Sequence, residues 1–200
     1  MSASVSVAVL RAGSGEPLVY GDERTYPCAS IVKIAILAAL EEPLPEQERE
    51  WARAMIVSSD NDAATALWER IGGAAGLDAA LARLGLGETV ADRAWGLTRT
   101  TARDQLTLLR AVFEGHHAYL RSLMGQVVPG QDWGVSAAGA PWALKNGWMP
   151  MRATGLWVVH SVGQAGGSLI AVLSDGHPTK ESGVACVEAA AREAVMRAER

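Results

Sequence analysis

The sequence predicts an α+β fold: an antiparallel sheet flanked by N- and C-terminal elements and joined to a reduced all-helical lobe. Two observations carry that expectation. β-rich segments occur only before about residue 27 and after about residue 131. Punctuated helical segments fill the middle. Strands and helices that segregate in this way build α+β folds, not alternating α/β ones. The 200 residues suit one compact domain, with a sheet lobe over 1–27 and 131–200 and a helical lobe over 28–130.

The run Val5 to Leu10, the turn Ala12-Gly13-Ser14-Gly15 and the extended piece Pro17 to Tyr20 have the pattern of a hairpin. Pro27 breaks the chain. Ser30 to Leu40 is apolar on nearly every face, which marks a buried helix, and Glu41-Glu42-Pro43-Leu44-Pro45 ends it. Further helices are expected over Glu46–Ile56, Asp62–Ile71, Leu77–Leu84 and Thr101–Phe113, each bounded by Gly, Pro or Ser/Asp/Asn. Beyond Gln126, strands are expected over Trp142–Trp148, Leu156–Val162 and Ser168–Leu173. A last amphipathic helix runs from Glu181 to Arg197.

Composition narrows the functional classes. A net charge of −4, from 18 basic and 22 acidic residues, leaves no basic footprint for nucleic acid. The most apolar run, Ile31 to Leu40, is too short to span a bilayer. The first ten residues lack the basic leader and apolar core of a signal peptide. The chain as written is therefore expected to be cytoplasmic, although a secreted protein trimmed of its leader reads the same. Cys28 and Cys186 allow one bridge, but two small buried apolar residues are the simpler expectation. There is no CxxC or HExxH, and His116, His117, His160 and His177 lack ligand-like spacing, so no metal and no cofactor are expected. The His116-His117 pair is expected at a solvated helix end. The expected partner is a small-molecule or peptide substrate.

Three short motifs carry the candidate chemistry. In Ser30-Ile31-Val32-Lys33 the serine needs an adjacent base to become a nucleophile, and residues three apart share a helix face. The apolar surroundings would desolvate Lys33 and lower its pKa, as a lysine base requires. Ser30 as a plain helix N-cap is the alternative. Ser59-Asp60-Asn61 lies between an apolar stretch and a helix, where Asp60 or Asn61 is equally available as a cap. Lys145-Asn146-Gly147-Trp148 puts a charge and a glycine inside a strand. Gly at that place permits close approach to the backbone. Cys28 is an alternative nucleophile only if the first motif is misaligned, and Ser161 reads as an ordinary strand residue.

In order and setting these elements resemble the S-x-x-K, S-D-N and K-T-G motifs of class A β-lactamases and penicillin-binding proteins. The likeness extends from the opening hairpin through Tyr26-Pro27-Cys28-Ala29-Ser30 and Leu97-Thr98-Arg99-Thr100-Thr101-Ala102 to the final helix. It implies a serine hydrolase or acyltransferase of that fold. Ser30 would be the acylated nucleophile, Lys33 its base, Ser59 the hydroxyl that protonates the leaving group, and Lys145 the cation that polarises this relay and attracts a substrate carboxylate. Asn61 would bind a substrate amide. The backbone N–H groups of Ser30 and Trp148, beside Gly147, would form the oxyanion hole.

Three departures qualify the resemblance. The segment Gly85 to Thr98 contains no Glu-x-x-Leu-Asn, the source of the glutamate that activates the deacylating water in class A enzymes, and its only carboxylates are Glu88 and Asp92. Asn146 stands where the family carries Thr or Ser. The stretch between Ser30 and Ser59 is also short. The resemblance thus implies acylation of an amide, ester or lactam without efficient β-lactamase activity. A non-catalytic or single-turnover acyl-ligand-binding module is the alternative. Trp148, Trp95 and Trp133 are candidates for the walls of an apolar cleft.

Overall fold

In the computed structural model, residues 3–40 and 42–200 are described. Met1 and Ser2 of the N-terminal segment, and Glu41 of the expected helix stop, lie outside them. Strands β1 (Ser4–Arg11), β2 (Leu18–Gly21), β5 (Trp142–Pro150), β6 (Trp157–Ala165) and β7 (Ser168–His177) form one antiparallel sheet in the order β2-β1-β7-β6-β5. The short strands β3 (Tyr26–Pro27) and β4 (Arg99–Thr100) pair as a separate antiparallel ribbon. The helices are α1 (Val32–Ala38), α2 (Glu46–Val57), α3 (Asn61–Arg70), α4 (Gly73–Leu84), α5 (Ala102–Glu114), α6 (Ala118–Met124) and α7 (Lys180–Ala198).

Both faces of the sheet are covered, and the strand sequences show why. Val7 and Val9 of β1 join Ile170, Val172, Val159 and Leu144 against Val187, Ala191 and Ala194 of α7. Their neighbours Ala8, Leu10, Ala171, Leu173 and Val162 face the other helices. A strand buried on both sides reads as a continuous apolar run, which is what β1 and β7 are. α1 threads the helical layer with all seven of its residues buried.

Three differences from the sequence expectation have physical causes. The helix expected from Ser30 begins as a 3-10 turn, Ala29–Ile31, and becomes α-helical only at Val32. Ala29 has φ +47°, so helical geometry cannot extend further back. α4 starts at Gly73 because Gly76, which reads as punctuation, lies inside it. A Cβ on Gly76 would fall 1.6 Å from the Ile71 carbonyl oxygen. α6 and the β3–β4 ribbon are too short for periodicity to register. His116 and His117 fall between α5 and α6, the first exposed and the second half-buried. The two cysteines are unbridged.

One buried histidine ties the sheet to the turn before α1. His160, on β6 and 0% exposed, accepts at Nδ1 from the Ser174 N–H at 3.0 Å, so its single proton is on Nε2 and is donated to the Pro27 carbonyl at 2.9 Å. Burial lowers its pKa from 6.5 to about 4, with His177 lowering it further and the backbone bonds opposing. Protonating Nδ1 would break the Ser174 bond. The unfolded chain binds that proton more tightly than the folded one, so stability is complete above about pH 6.5 and falls as the pH drops toward 4. The loss should approach about 3 kcal/mol. Urea unfolding at pH 7 and pH 4.5 should show it, and His160→Gln should flatten the difference.

Candidate active site

The nucleophile candidate sits in a strained turn. Among the described residues, Ala29 (φ +47°) and Ser59 (φ +59°) are the two non-glycine residues in the left-handed region, and both adjoin this site. Such backbone costs of order 1–3 kcal/mol per residue and persists only where its surroundings over-determine it. Here they do. The Cys28 N–H donates to the Thr98 carbonyl at 2.7 Å, and His160 holds Pro27. Around Ser59, the Asp60 N–H donates to the Ala54 carbonyl at 3.1 Å and Lys33 Nζ to the Ser59 carbonyl at 2.7 Å.

The competing structural roles divide cleanly. The residues capping the 3-10 turn and α1 are Cys28 and Ile31, neither with a side-chain cap, so Ser30 does not cap its helix. Its half-buried side chain faces a cleft instead. Asp60 does cap α3, its Oδ1 accepting from the Ala63 N–H at 2.7 Å. That leaves Ser59 and Asn61, on either side of it, for the site. Cys28 is 1% exposed and burial pushes its thiol pKa far up, which leaves no thiolate to react. Ser161 is a strand residue whose Oγ accepts from the Val135 N–H at 2.9 Å.

Ser59 Oγ lies between two buried ammonium groups. Lys145 Nζ donates to it at 2.9 Å and Lys33 Nζ at 3.2 Å. Lys33 also donates to Asn61 Oδ1 at 2.8 Å, so its three protons have three acceptors. Two of these, the Ser59 carbonyl and the Asn61 amide oxygen, can only accept. A neutral Lys33 amine keeps both bonds and turns its lone pair toward the Ser59 hydroxyl. Burial brings Lys33 down from 10.5 to about 8, with Asp60 opposing. Lys145 lies well below the usual lysine range, first through burial and then through the like charge of Lys33. Two ammonium groups sharing one hydroxyl, with no carboxylate bonded to either, cannot both remain charged cheaply.

The third motif reaches the site through its glycine. A Cβ on Gly147 would lie 2.9 Å from the Cys28 carbonyl oxygen and from the backbone nitrogens of Ser30 and Ile31. β5 and the nucleophile turn therefore touch backbone to backbone. Trp148 follows at the cleft wall. Asn146 is turned elsewhere: it is 1% exposed, and Nδ2 donates to the Gln131 and Trp133 carbonyls, both at 2.9 Å. The sequence offered no sign of this clasp, because the partners are 15 and 13 residues away in an irregular loop.

The cleft encloses about 300 Å3, with Ser30 and Asn61 at its polar end and Ala94, Trp95, Trp148 and Met149 around it. Trp95 presents its ring to Lys33 Nζ at 5.0 Å and donates from Nε1 to Thr65 Oγ1 at 3.4 Å. Trp133 stands behind the wall, edge-on to Trp148 with ring centroids 5.8 Å apart. Neither carboxylate of the 85–98 loop enters the cleft. Glu88 accepts from Thr101 Oγ1 at 3.2 Å, and Asp92 accepts from the Ala94 N–H at 2.8 Å. Among the described residues there is no cluster of metal-ligating side chains and no helix long and apolar enough to cross a membrane.

Comparison with known proteins places the fold. The model of the Beta-lactamase enzyme family matches residues 46–197, a range that contains Ser59 and Lys145 and begins after Ser30 and Lys33. A beta lactamase from Burkholderia vietnamiensis superposes with a TM-score of 0.81 at 20% identity, covering 100% of this chain and 92% of that one. A class A beta-lactamase from Mycobacterium abscessus gives a TM-score of 0.76 at 22% identity, covering 97% and 93% of the two chains. PBP-A gives 0.77 at 20% identity, covering 98% and 89%. A search of curated protein sequences returned no match.

The tight approach at Gly147 has a measurable consequence. Gly147→Ala must push β5 away from the nucleophile turn, and overpacking of this kind costs about 1–3 kcal/mol. The loss should appear as a lower urea midpoint. Substituting Gly87, where a Cβ has open space, should have far less effect.

Proposed function

The chain belongs to the Beta-lactamase enzyme family, and from that premise we propose that it is a serine hydrolase or acyltransferase that forms an acyl-enzyme at Ser30. The observation that carries the reading is the placement of Ser59 Oγ between Lys33 and Lys145, beside a cleft onto which Ser30 opens. A binding site needs no such relay; proton transfer does.

The chemistry follows from these groups. Neutral Lys33 takes the proton of Ser30 Oγ as the Oγ–C bond forms on a substrate carbonyl, and the carbonyl π pair moves onto oxygen. The N–H groups of Ser30 and Trp148 receive that oxyanion. Collapse expels the leaving group, which takes the Ser59 proton while Lys33 returns one to Ser59. In net balance Ser30 has lost one proton and the leaving heteroatom has gained one, with Ser59 and neutral Lys33 restored. Asn61 spends its amide oxygen on Lys33, leaving its N–H groups for a substrate carbonyl.

Discharge of the ester is the slow half. Where an activated water would need a carboxylate, the 85–98 loop offers the ring of Trp95, and Glu88 and Asp92 are bonded elsewhere. Efficient β-lactam hydrolysis is therefore not proposed. The same observation favours a second reading, a module that acylates once and stays modified, and repeated turnover separates the two.

Intact-mass spectrometry with an uncharged activated ester should show one adduct, absent in Ser30→Ala. An adduct that persists in that variant would sink the proposal. Lys33→Ala should slow acylation by about 10²–10⁴-fold, the usual worth of a positioned base. The reacting form of Lys33 is the neutral one, so the acylation rate should rise with pH through about 8 and then level.

A further inference from the structure

The cleft withholds charge. Every residue that lines it is neutral. The two ammonium groups beneath it belong to side chains 0% and 1% exposed, and their bonds run to Ser59, Asn61 and the Asn146 carbonyl. The side chain next to Lys145 offers nothing more, because both amide protons of Asn146 are spent on the Gln131 and Trp133 carbonyls.

That loop cannot readily withdraw to free them. Gly134 sits at φ +86°, where a Cβ would fall 2.3 Å from Ser161 Oγ, and the next N–H, of Val135, donates to the same oxygen at 2.9 Å. The nearby ammonium of Lys180, on α7, is engaged 4.2 Å from the ring centroid of Trp148 and does not line the cleft. A carboxylate entering beside Ser30 would lose its hydration and meet apolar side chains. Asn146 has no amide proton to offer it, and Lys145, whose bonds to Ser59 and the Asn146 carbonyl leave one N–H over, is only 1% exposed and does not line the cleft.

We infer that the site selects acyl donors whose leaving group carries no carboxylate, uncharged esters or amides, and discriminates against donors that carry one there. The inference rests on the acyl-enzyme proposed at Ser30 and names the substrate class of that site. Selection arises mainly by exclusion: the uncharged donor gains the apolar contacts of Trp95, Trp148 and Met149, and the charged one leaves an anion unpaired.

The experiment uses the full chain and two probes with one acyl group, 3-(butanoyloxy)benzoate and its methyl ester. Butanoylation of Ser30 is followed by intact mass, with each rate normalised to the probe's spontaneous hydrolysis. The methyl ester should label at least about tenfold faster, the factor that one unpaired charge at about 1.4 kcal/mol produces. Met149→Arg places a cation on the cleft wall and should bring the two rates within about threefold of each other. Equal or faster labelling by the carboxylate probe in the unaltered protein overturns the inference and leaves the Ser30 chemistry standing. An unchanged preference in Met149→Arg overturns missing charge as its cause. Labelling by neither probe overturns the acyl-enzyme reading together with the inference.

Discussion

The rest of this site depends on holding two lysine ammonium groups on a single serine hydroxyl with no carboxylate bonded to either. Lys33 and Lys145 come from different layers of the fold, a helix buried on all sides and an edge strand of the sheet. Their desolvation is the largest cause of both lowered pKa values. The arrangement is expensive, since a buried charge without a partner is among the costlier things a protein can keep. The same burial brings Lys33 down to about 8, so the cost and the proposed base chemistry have one source.

The backbone around the pair is built to the same end. Left-handed φ at Ala29 and Ser59 shapes the turns that carry Ser30 and Ser59, and hydrogen bonds from residues distant in sequence hold those turns. His160 anchors the peptide just before the nucleophile turn, Thr98 accepts from Cys28, and Gly147 lets β5 lie directly against the turn. None of these touches a substrate. Each removes a freedom from the turn that carries Ser30, which is how a scaffold fixes a side chain's position; the acylation proposed above would draw on that fixed geometry.

The polar cluster of Lys33, Ser59 and Lys145 and the surrounding surface differ in kind. The relay is polar and buried, while the cleft above it is apolar and uncharged, walled by Trp95, Trp148 and Met149. The loop that passes over Lys33 contributes an aromatic face and keeps its carboxylates on its own backbone and on Thr101. The opposite loop fastens Asn146 away from the cleft. Among the described residues, neither loop hydrogen-bonds to Lys33 Nζ, Lys145 Nζ or Ser59 Oγ.

The sequence alone determined the element order and the α+β class, and it singled out Lys33, Ser59 and Lys145, which the fold brings into hydrogen-bond contact. Ser30 and Lys33 are three apart, a spacing from which local geometry predicts a common helix face, and the structure sets Ser30 in the 3-10 turn that leads into α1. The apolar runs of β1, β7 and α1 announce burial on both faces because hydrophobic patterning is a local record of a global core. Asp60 and Asn61 remained interchangeable as caps until the structure fixed Asp60 on the Ala63 N–H and gave Asn61 to Lys33. Only tertiary structure decided that Asn146 is spoken for, that Cys28 is inert, and that His160 serves the nucleophile turn from 133 residues away. The physical reason is common to all three. Which donors stay free, and which groups are desolvated, is set by neighbours distant in sequence, and no local pattern encodes them.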